Sequence, residues 1–148
     1  MNVAVASDHR GYNAKREIKD FLTKAGHNVV DFGCDSTESC DYPDMTLSGA
    51  QSVAAGDTER GIFLCGTGIG TSIAANKVNG VRAALCHDEL TAGLSRRHNN
   101  ANVLCLPADL LGQELLRRVV DVWMNTEYEG GRHERRLGKI ADYESNHK

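Results

Sequence analysis

Cys65-Gly66-Thr67-Gly68-Ile69-Gly70-Thr71-Ser72 places a thiol directly before three glycines at alternate positions. Glycines leave the backbone uncovered, and exposed N–H groups between a strand and a helix attract an anion. That anion is either a phosphate or the oxyanion of an enediolate. The competing reading is a tight strand-to-helix turn with no ligand. The spacing is G-x-G-x-G, which differs from the dinucleotide pattern G-x-G-x-x-G and lacks the Walker lysine. A cysteine ending a strand is ordinarily a packing residue. Beside an anion-binding loop its thiolate becomes a candidate base or nucleophile.

Other polar groups follow or precede apolar runs. Asp8-His9 follows the first run and His98-Asn99-Asn100 precedes the last. An imidazole is a good proton shuttle near neutral pH, and a carboxylate can orient it or share the transfer. Each is also an ordinary loop residue or helix cap when taken alone. Arg132 and Arg136 stand one helical turn apart, so two guanidinium groups on one face match a phosphate dianion. A solvated charged face is the plainer account. Asp41-Tyr42-Pro43-Asp44 reads as a turn, with Asp44 capping the next helix and Tyr42 placed to close over a sugar.

The elements that must position these residues alternate. Strands are expected at 3–6, 29–32, 62–65, 81–86 and 103–106, as continuous apolar runs suited to burial on both faces. Helices are expected at 13–25, 71–79, 88–97 and 109–123, the last with Asp109 as N-cap. The βαβα order implies one α/β domain, a five-stranded parallel sheet with helices on both faces. In such a sheet ligands bind beyond the carboxyl ends of the strands. The titratable residues above are expected to collect on that one rim. After Gly130-Gly131 the tail, 130–148, lacks a strong apolar stripe and is expected to project as a helix.

Composition narrows the classes. The chain has 148 residues, 41% hydrophobic and 25% charged, with net charge −3 and 5% aromatic residues. Neither nucleic acid nor an anionic membrane is expected as a partner. The first residues are too few and wrongly ordered for a signal peptide, and no run is long enough to span a bilayer. Five cysteines without C-x-x-C argue against a disulfide framework or zinc ribbon and suit a reducing cytoplasm.

Taken together, Ser7-Asp8-His9, Asp41-Tyr42-Pro43-Asp44, Cys65 to Gly70, Ala75-Asn76-Lys77, Arg82-Ala83-Ala84, His98-Asn99-Asn100 and Tyr128 to His133 resemble the ribose-5-phosphate isomerase B family, which includes galactose-6-phosphate isomerase subunits. The resemblance spans nearly the whole chain. It implies a Rossmann-like αβα sandwich, free of metal and cofactor, working as a homodimer or tetramer with shared sites. It implies that Cys65 removes the proton next to a sugar-phosphate carbonyl. The backbone of Gly66, Gly68, Ile69 and Gly70 then holds the enediolate, and Thr67 assists the proton. His98 and Asp8 open the furanose ring, Asn99 contacts the sugar, and His9, Arg132 and Arg136 hold phosphate. The tail is implied to reach the neighbouring subunit's site. One departure stands out: the family usually has a phosphate-binding arginine where this chain has Asp109. Either Asp109 merely caps a helix, or the preferred sugar phosphate is not ribose 5-phosphate. Two other classes remain. One is a non-catalytic sugar-phosphate or nucleotide-binding module, with Asp88 meeting a ribose. The other is a hydrolase using Cys65 and His98.

Overall fold

Continuous burial of the three central strands explains the layers. The computed structural model describes residues 1–148 as one α/β unit. Its elements are β1 (Asn2–Ser7), α1 (Tyr12–Lys24), β2 (Asn28–Asp31), α2 (Tyr42–Ala55), β3 (Arg60–Cys65), α3 (Ile69–Ala75), β4 (Ala83–Leu85), α4 (Glu89–Asn99), β5 (Val103–Pro107), α5 (Gln113–Asn125) and α6 (Arg132–Asn146). All pairings are parallel and the strand order is β2-β1-β3-β5-β4. Successive strand side chains point to opposite faces. Val3, Val5, Ile62, Leu64, Leu104 and Leu106 therefore meet α1, α4 and α5 around Trp123. Ala4, Ala6, Phe63, Val103 and Cys105 meet α2 and α3. Small residues on the second face matter: a Cβ on Gly49 would lie 2.8 Å from the Phe63 ring, so α2 packs close to the sheet.

The order reverses between β1 and β3, because β2 lies to one side of β1 and the later strands to the other. That reversal opens a crevice at the carboxyl ends of β1 and β3. At the opposite end of the sheet, buried arginines close the structure. Arg60 Nη1 donates to Trp123 O at 3.1 Å and Met124 O at 2.9 Å, satisfying carbonyls that end α5. Arg96 Nη1 donates to Ala101 O at 2.6 Å.

Several element ends differ from expectation. α5 begins at Gln113 with Gly112 as its N-cap, so Asp109 caps nothing. α2 begins at Tyr42 with Asp41 at the cap and Pro43 in the first turn, where a proline's missing N–H costs nothing, so Asp44 lies inside the helix. The tail is helical but does not simply project. His133 is buried, and Glu144 Oε2 accepts from Gly80 N at 3.1 Å. Arg132 and Arg136 are exposed, as are Ile140 and Tyr143.

Lys15 is 1% exposed, and its Nζ donates to Asp31 Oδ1 at 2.7 Å and Cys34 O at 2.6 Å. Lys19 Nζ donates to Asp31 Oδ2 at 2.6 Å. Burial pushes the Asp31 carboxyl up, but the bonds from Lys15, Lys19 and Gly33 outweigh it and hold the group below its ordinary value. A carboxyl depressed by folding stabilises above its unfolded value, about pH 4, and that stabilisation disappears as pH falls through the folded value. Asp31→Asn is therefore expected to lack part of the natural chain's loss of stability below about pH 4. Urea midpoints across pH check this, and identical acid profiles would assign the loss to other carboxylates.

Candidate active site

Cys65 ends β3 on the face shared with α2 and α3, and it is buried. Its Sγ lies 3.8 Å from Thr71 Oγ1, which donates to Gly68 O at 3.1 Å. Cys105 shares that sheet face but sits deeper, and burial pushes its thiol up to about 12. Burial likewise pushes the Cys86 thiol up. Both remain protonated at neutral pH and act as packing residues.

The loop after Cys65 offers donors. The N–H groups of Gly66, Thr67, Gly68 and Gly70 donate to no protein acceptor. Ile69 N–H is taken by Thr67 Oγ1 at 3.3 Å, so Ile69 adds no free amide and the Thr67 hydroxyl is engaged locally. The hydroxyl that faces the thiol belongs to Thr71. Each glycine is closely approached. Gly68 has φ +73°, and a Cβ there would lie 2.5 Å from Leu85 Cδ1 and 3.0 Å from the Leu106 carbonyl carbon. A Cβ on Gly70 would lie 2.6 Å from the Tyr42 ring, which places Tyr42 over the loop.

Asp8 and His9 share the crevice, since Ser7 pairs with Leu64 and Asp8 N–H donates to Leu64 O at 3.2 Å. Asp8 Oδ1 accepts from Arg10 N at 2.9 Å and Gly11 N at 3.1 Å, which fixes the turn and leaves Oδ2 free. His9 Nδ1 lies 3.2 Å from Cys40 N and 3.3 Å from Cys40 O. With Nδ1 accepting from Cys40 N–H, the neutral ring carries its hydrogen on Nε2, which is then a donor for an anion.

His98 does not join this group. It lies in the last turn of α4, which runs back against the strands, so it sits where β5 begins. Gly61, at the start of β3, pairs with Val103, whereas Cys65 pairs with Pro107. At about 3.3 Å per residue the two ends lie roughly 13 Å apart. The expectation of one common rim is therefore corrected: a residue preceding a parallel strand lies at its amino end. This separation also removes the geometry for a Cys65–His98 hydrolase within one chain.

A second cluster forms there instead. The His98 and His133 rings stack with centroids 4.3 Å apart and planes 14° apart. Glu129 Oε2 lies 3.9 Å from His98 Nε2 and 3.8 Å from His133 Nε2. Burial, then the charges of His98, Arg132 and Arg136, holds His133 below its ordinary value, with Glu129 opposing them. His98, Glu129 and His133 have ligand atoms within 4.8 Å of one another. They fit a metal poorly, because near-parallel stacked rings hold their in-plane lone pairs in two separate planes, which one ion cannot share. Asn99, Arg132 and Arg136 are exposed beside this cluster.

Asp88 is the N-cap of α4 and accepts from Thr91 N at 2.7 Å, a bond that holds its carboxyl below the ordinary value. That role accounts for Asp88 without a ribose. Arg10 escaped the sequence reading, although it adjoins Asp8-His9. Its Nε donates to Asp109 Oδ2 across Gly66. No helix is long and apolar enough to cross a membrane.

A family model described as Ribose/Galactose Isomerase matches residues 3–140. Ribose-5-phosphate isomerase B of Escherichia coli is 44% identical, the match covering 96% of this chain and 95% of that protein. D-erythrulose-4-phosphate isomerase of Pectobacterium atrosepticum is 41% identical, over 100% of this chain and 98% of the other. The solved structure of Clostridium thermocellum ribose-5-phosphate isomerase B superposes with a TM-score of 0.98 at 50% identity, covering 100% of both chains.

Gly68→Ala is expected to destabilise the fold by about 2–4 kcal/mol, combining left-handed strain with a clash against backbone. Denaturant unfolding measures this, and a loss under about 0.5 kcal/mol would mean the loop yields easily.

Proposed function

The chain belongs to the ribose/galactose isomerase family, and from that premise we propose that it interconverts an aldose phosphate and its ketose through an enediolate, with Cys65 as the base. The observation that carries this reading is a thiol at the mouth of a loop whose Gly66, Thr67, Gly68 and Gly70 amides donate to nothing in the protein. A proton next to a carbonyl is weakly acidic. Its removal needs a placed base and stabilisation of the developing oxyanion. The Cys65 thiolate takes the proton from one carbon and returns it to its neighbour. The carbonyl shifts between them, so no electrons leave the substrate. The Gly66, Thr67, Gly68 and Gly70 amides supply hydrogen bonds where negative charge develops. A base and amides suffice, so neither metal nor organic cofactor is required. The remote phosphate helps hold the reacting carbon, with His9 Nε2–H as one donor.

Asp8 and His98 serve ring opening, and Asn99 contacts the sugar. His98, Asn99, Arg132 and Arg136 lie at the far end of the sheet from Cys65 of the same chain. They reach a Cys65 crevice only in a second copy, which makes the working unit a homodimer or a pair of dimers with shared sites. The exposed Ile140 and Tyr143 on α6 suit such an interface. Five free thiols suit a reducing cytoplasm.

Purified protein assayed on tetrose, pentose and hexose phosphates tests the reaction. Turnover of none would reject it. Cys65→Ala is expected to lower kcat by about 10²–10⁴-fold with KM changed only a few-fold. Near-natural turnover would remove Cys65 as the base. Mixing equal amounts of inactive Cys65→Ala and Arg136→Ala chains is expected to restore roughly a quarter of full activity, since half the dimers are hybrids with one intact site in two. No recovery despite demonstrated exchange of subunits would place Arg136 in its own chain's site.

A further inference from the structure

Arg10 is fixed from both sides of the crevice. Its backbone N–H donates to Asp8 Oδ1 at 2.9 Å, which sets the turn after β1. Its Nε donates to Asp109 Oδ2, forming an ion pair that joins this turn to the loop after β5. Asp109 is itself anchored, because its N–H donates to Gly66 O at 3.0 Å. The guanidinium stem therefore lies across the residue that follows Cys65. A Cβ on Gly66 would sit 3.3 Å from Arg10 Nε and 2.8 Å from the Asp109 carboxylate.

Only Nε is engaged. Neither terminal nitrogen of Arg10 has a protein acceptor, and the side chain is 58% exposed. A guanidinium held at Nε still presents its end-on pair of nitrogens, a fork suited to a phosphate. The neighbouring cation, Lys15, is buried and committed to Asp31 and Cys34 O. Arg10 thus adds a positive charge with uncommitted donors to the rim that carries His9, Cys65 and the free amides.

We propose that Arg10 is an anion-binding, specificity-determining residue of this site, receiving the substrate phosphate on its terminal nitrogens while Asp109 acts as its positioning residue. The identity of the anion rests on the isomerase reading. Asp109 then contributes to phosphate recognition indirectly: it aims a cation supplied by the β1 turn. Its own charge lies on the Nε edge, away from the fork.

Calorimetric titration with inorganic phosphate, alongside KM and kcat for whichever sugar phosphate turns over, tests this. Arg10→Gln is expected to weaken phosphate binding about tenfold, the loss of one charge-assisted contact, and to raise KM similarly with kcat within about threefold. Asp109→Asn keeps an oxygen that accepts from Nε and sheds the negative charge, so it should bind phosphate at least as tightly as the natural chain. Both side chains are exposed, and thermal unfolding verifies that the variants fold. Unchanged phosphate affinity in Arg10→Gln, or an equal loss in Asp109→Asn, would make the pair a structural clasp and overturn the proposal. A natural chain that binds no phosphate at millimolar concentration would overturn it too. The titration needs no turnover, so failure of the isomerase reading shows separately, as inactivity on every sugar phosphate.

Discussion

Backbone donors left unpaired at the end of β3 are the constraint around which the crevice is arranged. An amide that is neither bonded nor solvated is costly, so a stretch of free N–H groups persists only where water or a ligand can reach it. Three neighbours nonetheless crowd that stretch, each against a different glycine. The Arg10–Asp109 pair lies over Gly66, Leu85 and Leu106 lie under Gly68, and Tyr42 lies over Gly70. Those neighbours come from the turn after β1, the ends of β4 and β5, and the start of α2. The loop is thus shaped by its surroundings while its amides stay available. The glycines allow close approach, and one of them also supplies the positive φ.

Strand order gives that loop its place. Parallel strands put all carboxyl ends on one rim, and reversal between β1 and β3 parts the helices there. Asp8 and His9 then stand beside Cys65 with no long-range device beyond β1–β3 pairing. The same rule excludes His98, because a helix returning to a parallel sheet ends at the opposite rim. On the proposed reading, one end of the chain carries Cys65 and the free amides, the other carries His98, His133 and exposed arginines, and the two make one site by apposition of copies. On the proposed reading, catalysis and assembly are coupled by the topology of a crossover.

Much of this was legible in the sequence. The central strands β1, β3 and β5 read as continuous apolar runs because helices cover both sheet faces there. The αβα layering followed from their alternation with amphipathic segments, and the glycine loop was visible as spacing alone. What was not legible depended on partners distant along the chain. Asp109 looked like a cap, since a carboxylate before a helical stripe usually is one, yet its oxygen goes to Arg10, ninety-nine positions earlier. Arg10 was given no role for the same reason. Thr71 stood within the quoted motif, but only the turn of α3 shows that its hydroxyl, and not that of Thr67, faces the thiol. His98 was misplaced by reading nearness to a strand without asking which end of it.

Position along adjacent strands separates the surroundings of two of the cysteines. Cys65 and Cys105 lie on the same face of adjacent strands and were alike as sequence, each closing an apolar run. Cys105 pairs in register with Phe63, two residues inside the end of β3, where both sheet faces are covered. Desolvation there disfavours a thiolate strongly enough to remove it from acid–base work at any physiological pH. Cys65 is one pleat further along, where the strand stops, the glycines begin and uncovered amides replace side chains. A position two residues past the level of Cys105 thus puts the Cys65 sulfur beside Thr71 Oγ1 at the start of the glycine loop. The identity of the base, on this reading, is decided by where the strand ends rather than by any property of cysteine itself.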